Sequence, residues 1–179
     1  MVDALRQTPE FVYSVSCTTR SARAGELDGQ DYKFLSEADF MARINASEFL
    51  EHAVVHGHHY GTLLGPIVEN LKNGRDVLID IDTQGATNIR HCKDELIRAA
   101  LADVFIMPPD LDELRRRLTK RGTETPQQIE SRLATASREM QSWREYRYTI
   151  ISRSIEEDLQ KFRHIMTAER YLSRRLIQN

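Results

Sequence analysis

Val77-Leu78-Ile79-Asp80-Ile81-Asp82 is the stretch that decides the fold. From Asp76 to Ile81 the residues are almost continuously apolar. That is the pattern of a parallel strand covered on both faces, where alternation with polar residues is not needed. The carboxylates of Asp80 and Asp82 fall at the C-terminal end of the run, the end at which open parallel sheets form their ligand crevices. Outward from it, β-rich and helix-periodic segments alternate. Upstream, Phe11-Val12-Tyr13-Ser14-Val15 reads as a strand, and Met1 to Gln7 reads as the tail of a helix. Downstream, Gly85 to His91 reads as a short helix and Leu101 to Met107 as a second buried strand, stopped by Pro108-Pro109. The alternation defines an α/β fold with a parallel core sheet.

The remaining segments carry their own boundary signals. Tyr32-Lys33-Phe34-Leu35 reads as a short strand, and Ser36 with Asp39 opens a helix through Phe40, Met41 and Ile44. Phe49 to Val55 and His58 to Tyr60 read as paired strands, and Pro66 to Leu71 as a helix ended by Asn73-Gly74. Asp110 and Glu113 cap a helix with Leu111, Leu114 and Leu118 on one face, and Gly122 breaks it. Thr125, Pro126 and Gln128 start the next helix, with proline at the first helical position. Tyr148 to Ile151 reads as a last strand, and Ile155, Leu159, Phe162 and Met166 as the buried stripe of a closing helix.

Bulk properties narrow the partners. The 179 residues fit one domain, and 40% hydrophobic with 29% charged residues is ordinary for a globular protein. A net charge of −2 argues against bulk electrostatic capture of nucleic acid or a membrane. No apolar run approaches a membrane span of about 18 residues, and no signal peptide opens the sequence. Cys17 and Cys92 form neither a disulfide framework nor a zinc pattern, so a reducing cytoplasm is the expected compartment. His56, His58 and His59 are clustered but lack the further ligand spacing of a metal site.

Chemistry concentrates between Ser16 and Asp82. Ser16, Arg20, Arg23, Glu26 and Tyr32 precede Glu51, Tyr60, Gly61 and Thr62. Two guanidiniums with hydroxyls suit a dianionic phosphate, because arginine presents a planar donor fork. Glu51 and Asp80 supply acceptors for a base that presents a ring N–H and an exocyclic amine, as guanine does. A phosphate at one end and a donor-rich base at the other read as a GMP site. Of the eight glycines, none is followed by lysine, so the 179 residues hold no phosphate loop ending in Gly-Lys-Ser/Thr. Arg115-Arg116-Arg117 reads mostly as a solvated helix face, with Arg117 the candidate for function.

These motifs resemble the guanylate kinase family. The run from Ser14 to Glu26 resembles its GMP-binding segment, as does the tract from Phe49-Leu50-Glu51-His52-Ala53 to Tyr60-Gly61-Thr62. Asp80-Ile81-Asp82-Thr83-Gln84-Gly85 resembles the family's acidic strand end, and Arg117, Arg121-Gly122-Thr123-Glu124 and Arg132 its lid. The resemblance implies a P-loop-kinase-like core (residues 1–14, 75–107 and 145–179), a mixed α/β GMP-binding subdomain (15–74) and a helical lid (108–144). It implies phosphorylation of GMP to GDP by ATP with Mg2+, in purine nucleotide metabolism. Ser16, Arg20, Arg23, Glu26, Tyr32 and Tyr60 would hold the phosphate, and Glu51, Thr62 and Asp80 would read the guanine. Arg117, Arg121 and Arg132 would neutralise charge on the transferring phosphoryl group.

The sequence departs from the family in two places. The family opens with a strand and the phosphate loop, whereas Met1-Val2-Asp3-Ala4-Leu5 resembles the second half of the helix that follows. The N-terminal strand and loop are therefore expected to be missing from an incomplete N-terminus, leaving the chain inactive, with GMP binding weak or absent. Ser152, in Ile150-Ile151-Ser152-Arg153-Ser154, stands where the family has asparagine followed by acidic residues near the adenine. A rival reading is a non-catalytic guanylate-kinase-like module that binds phosphorylated protein ligands. Glu51, Asp80 and the lid arginines weigh against it, because such a module needs none of them.

Overall fold

The structure is a computed structural model describing residues 5–6, 10–55, 57–122 and 124–175. It divides into two units, residues 2–101 and 102–179.

In the first unit, β1 (Val12–Tyr13) runs parallel to β6 (Val77–Leu78), with Val12 opposite Val77 and Tyr13 opposite Leu78. The expected strand over Asp76 to Ile81 is thus only two residues long in its pairing, half-buried, and followed by an exposed Asp80. Among the described residues β1 is its one hydrogen-bonded neighbour, and Val77 and Leu78 are half-buried rather than buried on both faces. Its apolar character is still used. Val77, Ile79 and Ile81 pack on a core of Ile67, Ile89 and Ile97, together with Leu64, Leu71 and Leu101.

A second sheet has the order β3-β2-β5-β4, made of β2 (Cys17–Thr18), β3 (Lys33–Phe34), β4 (Phe49–Val55) and β5 (His58–Leu63). The β4–β5 hairpin matches its sequence expectation and continues past Tyr60 to Leu63. Helix α1 (Glu37–Asn45) starts at Ser36, whose hydroxyl accepts the Asp39 amide at 3.0 Å. It buries Phe40 completely, stacked on Phe49 at 4.4 Å between ring centroids. Helix α2 is Leu64–Lys72, α3 is Thr83–Arg90 and α4 is Glu95–Ala100. Helix α4 is too short for its periodicity to stand out in the sequence, yet Asp94 caps it by accepting the Ile97 amide at 3.0 Å. Cys17 is wholly buried and reduced.

In the second unit, β7 (Val104–Met107) pairs in parallel with β8 (Tyr148–Ile151). Helices α5 (Leu111–Arg121) and α6 (Pro126–Glu139) pack through Leu118, Ile129 and Leu133, with Leu111 and Leu114 alongside. Asp110 accepts the Glu113 amide at 2.7 Å, and Gly122 ends α5 in the left-handed conformation. At α6 the capping box from Thr125 to Gln128 is complete. Helix α7 (Ile155–Arg170) closes the unit. Ile155, expected in its buried stripe, is 61% exposed. The inward face is instead set by Asp158, Phe162 and Glu169, so two carboxylates hide the phase of the stripe from a hydrophobic reading.

Most of the expected N-terminal helix tail lies outside the described residues. Leu5 and Arg6 are helical, and Leu5 is 1% exposed. His56 and Thr123 also lie outside the described residues. Among those described, no helix is long and apolar enough to cross a membrane.

Candidate active site

Arg20 is fixed by the strand that precedes it. Thr18, at the end of β2 and fully buried, donates its hydroxyl to the His59 carbonyl at 2.9 Å and accepts the Arg20 amide at 3.2 Å. The Arg20 guanidinium donates to Glu26 Oε1 at 2.8 Å and to the Ser21 carbonyl at 2.6 Å. The Tyr60 phenol lies near it and, after Glu26, helps to hold the guanidinium protonated. It lies 5.4 Å from the Tyr32 ring centroid and 5.9 Å from that of Phe34, within cation–π range. Tyr32 and Tyr60 meet edge to face at 5.9 Å.

Glu26 completes the turn. Its second oxygen accepts the Arg23 amide at 2.7 Å. The hydrogen bond from Arg20, then that from the Arg23 amide, holds the Glu26 carboxyl below the usual carboxylate range. An anion cannot itself seat a phosphate, so Glu26 acts on the site through Arg20 and the Arg23 backbone. The Arg23 side chain is exposed. Ser16 is half-buried just before β2, and its carbonyl accepts the Lys33 amide at 2.9 Å. Burial, followed by the proximity of Tyr60, Tyr13 and Asp80, pushes the Tyr32 phenol up, with Arg20 opposing. Arg20, Tyr13, Tyr60 and Asp80 are thus within electrostatic reach of the Tyr32 phenol.

Glu51 lies on β4 opposite Thr62 on β5. Both are buried, and the Thr62 hydroxyl donates to Glu51 Oε1 at 2.6 Å. Burial pushes the Glu51 carboxyl above its ordinary value; the Thr62 hydrogen bond opposes this and the Asp82 charge reinforces it. Asp82 is the N-cap of α3, accepting the Gly85 amide at 2.8 Å. Gly61, opposite Cys17, packs so closely on Phe49 that a Cβ there would meet the ring at 2.9 Å. The sequence-expected residues of this unit are therefore held by two adjoining structures, the β2–β3–β5 turn region and the β4–β5 hairpin with α3. Thr18, Phe34 and Tyr13 were not singled out from the sequence. Thr18, inside the polar run before Arg20, was the one whose position could have flagged it.

In the second unit, Arg117 and Arg121 are one helical turn apart on α5, which extends to Arg121 as their pairing on one face requires. Arg117 donates to Glu113 at 2.7 Å, to Ser152 Oγ at 2.9 Å, and to the carbonyls of Ser152 and Arg153 at 3.0 and 3.1 Å. Ser152 in turn donates to the buried Asp158 at 2.6 Å. Arg132, on α6, is 3.5 Å from the Glu124 carboxylate. The neighbouring Arg115 and Arg116 pair with Glu130 and Glu113.

Comparison with known proteins sets this arrangement among the nucleoside monophosphate kinases, which are phosphotransferases. The family model described as guanylate kinase matches residues 3–169. The chain is 45% identical to the guanylate kinase of Deinococcus radiodurans over 161 residues, 90% of this chain and 66% of that protein. It is 44% identical to that of Maricaulis maris over 167 residues, 93% of this chain and 74% of that protein. The crystal structure of guanylate kinase from Anaplasma phagocytophilum superposes with a TM-score of 0.80 at 34% identity, covering 97% of this chain and 82% of that one. The chain belongs to the guanylate kinase family. It spans about two thirds of the length of the Deinococcus relative.

Proposed function

We propose that this chain carries the GMP-recognition and lid elements of a guanylate kinase, which transfers a phosphoryl group from ATP to GMP. The observation that supports it most is the buried Glu51–Thr62 pair on the same hairpin as Tyr60, whose phenol lies near Arg20. The guanidiniums of Arg20 and Arg23, with the hydroxyls of Ser16, Tyr32 and Tyr60, take the phosphate. Glu51, Thr62 and Asp80 take the guanine, the carboxylates accepting from its N1–H and amino group.

Phosphoryl transfer requires little covalent chemistry from the protein; it needs alignment of the two nucleotides and cancellation of developing charge. Arg117, Arg121 and Arg132 are the cations for that cancellation. Closure of the lid that carries them would exclude water. Mg2+ belongs to the ATP phosphates in this chemistry. No three His, Cys, Asp or Glu side chains converge as a metal cage among the described residues. The 179 residues contain no Gly-Lys-Ser/Thr loop, so these residues supply the acceptor side of the reaction. The cytoplasm, where the reduced Cys17 and Cys92 are stable, is the proposed compartment.

The test is an NMR titration of the chain with GMP, AMP and a phosphoserine peptide. Weak binding of GMP, in preference to AMP, is expected. Peptide binding without GMP binding would instead make the chain a protein-recognition module.

A further inference from the structure

Gly85 occupies the third position of α3, where glycine is the poorest helix former apart from proline. Neither a turn nor a positive φ accounts for it, because its backbone is helical. Its surroundings do. It is buried, and a Cβ built on it would lie 2.8 Å from Glu51 Oε2 and 3.3 Å from Asp82 Oδ1. The other Glu51 oxygen is fixed by Thr62 at 2.6 Å. The carboxylate is therefore held between a hydroxyl on one side and the bare Cα of α3 on the other.

We propose that Gly85 is a positioning residue for base recognition, its missing side chain leaving the space in which the Glu51 carboxylate is held against Thr62. The inference rests on the reading of Glu51 as the group that accepts from guanine. A methyl group at position 85 cannot coexist with this placement. Glu51 is the far end of a flexible side chain, so the fold can yield by letting its carboxylate swing off Thr62. Recognition then fails while the phosphate end, built on β2, β3 and β5, keeps its geometry.

Two readouts on the whole chain separate this from a purely structural role. With 13C-labelled glutamate, the Glu51 carboxyl is followed against pH. In parallel, GMP, AMP and ribose 5-phosphate are titrated by NMR. Gly85→Ala is expected to cost about tenfold or more in GMP affinity and to leave ribose 5-phosphate binding within about twofold. The Glu51 titration should then shift, upward if the carboxylate stays buried without the Thr62 donor and back toward the ordinary range if it swings into water. In a Glu51→Ala background, Gly85→Ala should leave the melting temperature unchanged or higher, as the helix preference for alanine dictates. A Gly85→Ala chain with unaltered GMP affinity and Glu51 titration would overturn the proposal. So would an equal loss of melting temperature, or of folding, in both backgrounds. If the unsubstituted chain showed no preference for GMP over AMP, the base-reading role of Glu51 would fall. The Glu51 titration would still decide the placement: a shift in the Gly85→Ala chain upholds it, and no shift removes it.

Discussion

Glu26 grips Arg20 and the Arg23 amide at once, one carboxylate oxygen to each, at 2.8 and 2.7 Å. A negative charge in a phosphate pocket looks wrong until its partner is seen. The guanidinium of Arg20 also rests near the Tyr32 ring, so Glu26 selects one orientation of an otherwise long and adaptable side chain. Removing Glu26 should then harm phosphate binding even though it removes like-sign repulsion. Glu26→Gln is expected to weaken GMP and ribose 5-phosphate binding together, whereas Glu26→Asp should weaken both less. Tighter phosphate binding in Glu26→Gln would show the carboxylate acting as a simple repulsive charge.

Direct loss of a phosphate donor should be larger. Arg20→Ala removes a charge-assisted contact worth about 1.5–3 kcal/mol, or about 10- to 150-fold in GMP affinity. Because the base end is unaffected, the ratio of GMP to AMP affinity should hold. Calorimetry or NMR titration of both nucleotides checks this, and a collapse of the ratio would show that the two ends are not separable.

The raised Glu51 carboxyl makes opposite predictions for stability and for binding. Its folded value lies above the unfolded reference of 4.5, so the native state binds the proton more tightly. That contribution is fully present below the unfolded value and is lost as pH rises through the folded one. Guanine, a donor at this edge, needs the ionised acceptor. As pH rises through the same window, intrinsic stability should fall while GMP affinity increases. Glu51→Gln should flatten both trends, and it should lower GMP preference at neutral pH. Parallel melting curves and GMP titrations against pH, for the chain and for the variant, give the comparison. Trends of the same sign for stability and affinity would contradict the assignment.

How far the sequence carried this depends on the kind of signal. The α/β class, the β4–β5 hairpin and the starts of α1, α5 and α6 were legible because hydrophobic period and capping chemistry are local. The extent of β6 was not, since a run such as Val77 to Ile81 says that its side chains are buried, not that a strand lies on both sides of it. Asp158 and Glu169 broke the apolar stripe of α7, and burial of a carboxylate is set by distant partners such as Ser152 and Tyr148. Arg20, Glu51 and Asp80 could be named from chemical type and order. The dependence of Glu51 on Gly85 could not, because it is a property of packing between β4 and α3.

Ser152 links a lid arginine to a buried carboxylate. Its hydroxyl accepts from Arg117 and donates to Asp158, which also accepts the Arg153 amide at 3.3 Å. Asp158 is 3% exposed, so removing Ser152 leaves a buried carboxylate short of a donor. Ser152→Ala is expected to destabilise the fold by about 1–3 kcal/mol in urea unfolding. Ser152→Thr, which keeps the hydroxyl, should recover part of that. An unaltered unfolding midpoint in Ser152→Ala would mean that Asp158 is satisfied without it.

Helix α6 carries Arg132, and its entry is fixed by a reciprocal pair of bonds. The Thr125 hydroxyl accepts the Gln128 amide at 3.3 Å, and the Gln128 side chain accepts the Thr125 amide at 2.8 Å. Pro126, at the first helical position, has no N–H to satisfy there. The long contact at Thr125 places this cap at the modest end of its class. Thr125→Ala should cost about 0.5–1 kcal/mol, and Thr125→Ser or Thr125→Asp should restore most of it, because each keeps an oxygen acceptor at the cap. Because the cap sits in the second unit, GMP binding, which is built in the first, should not change. Thermal melts of the three variants, with GMP titrations beside them, test both halves. A Thr125→Ala chain that kept its melting temperature would show that Gln128 and Pro126 fix the start of α6 without the threonine.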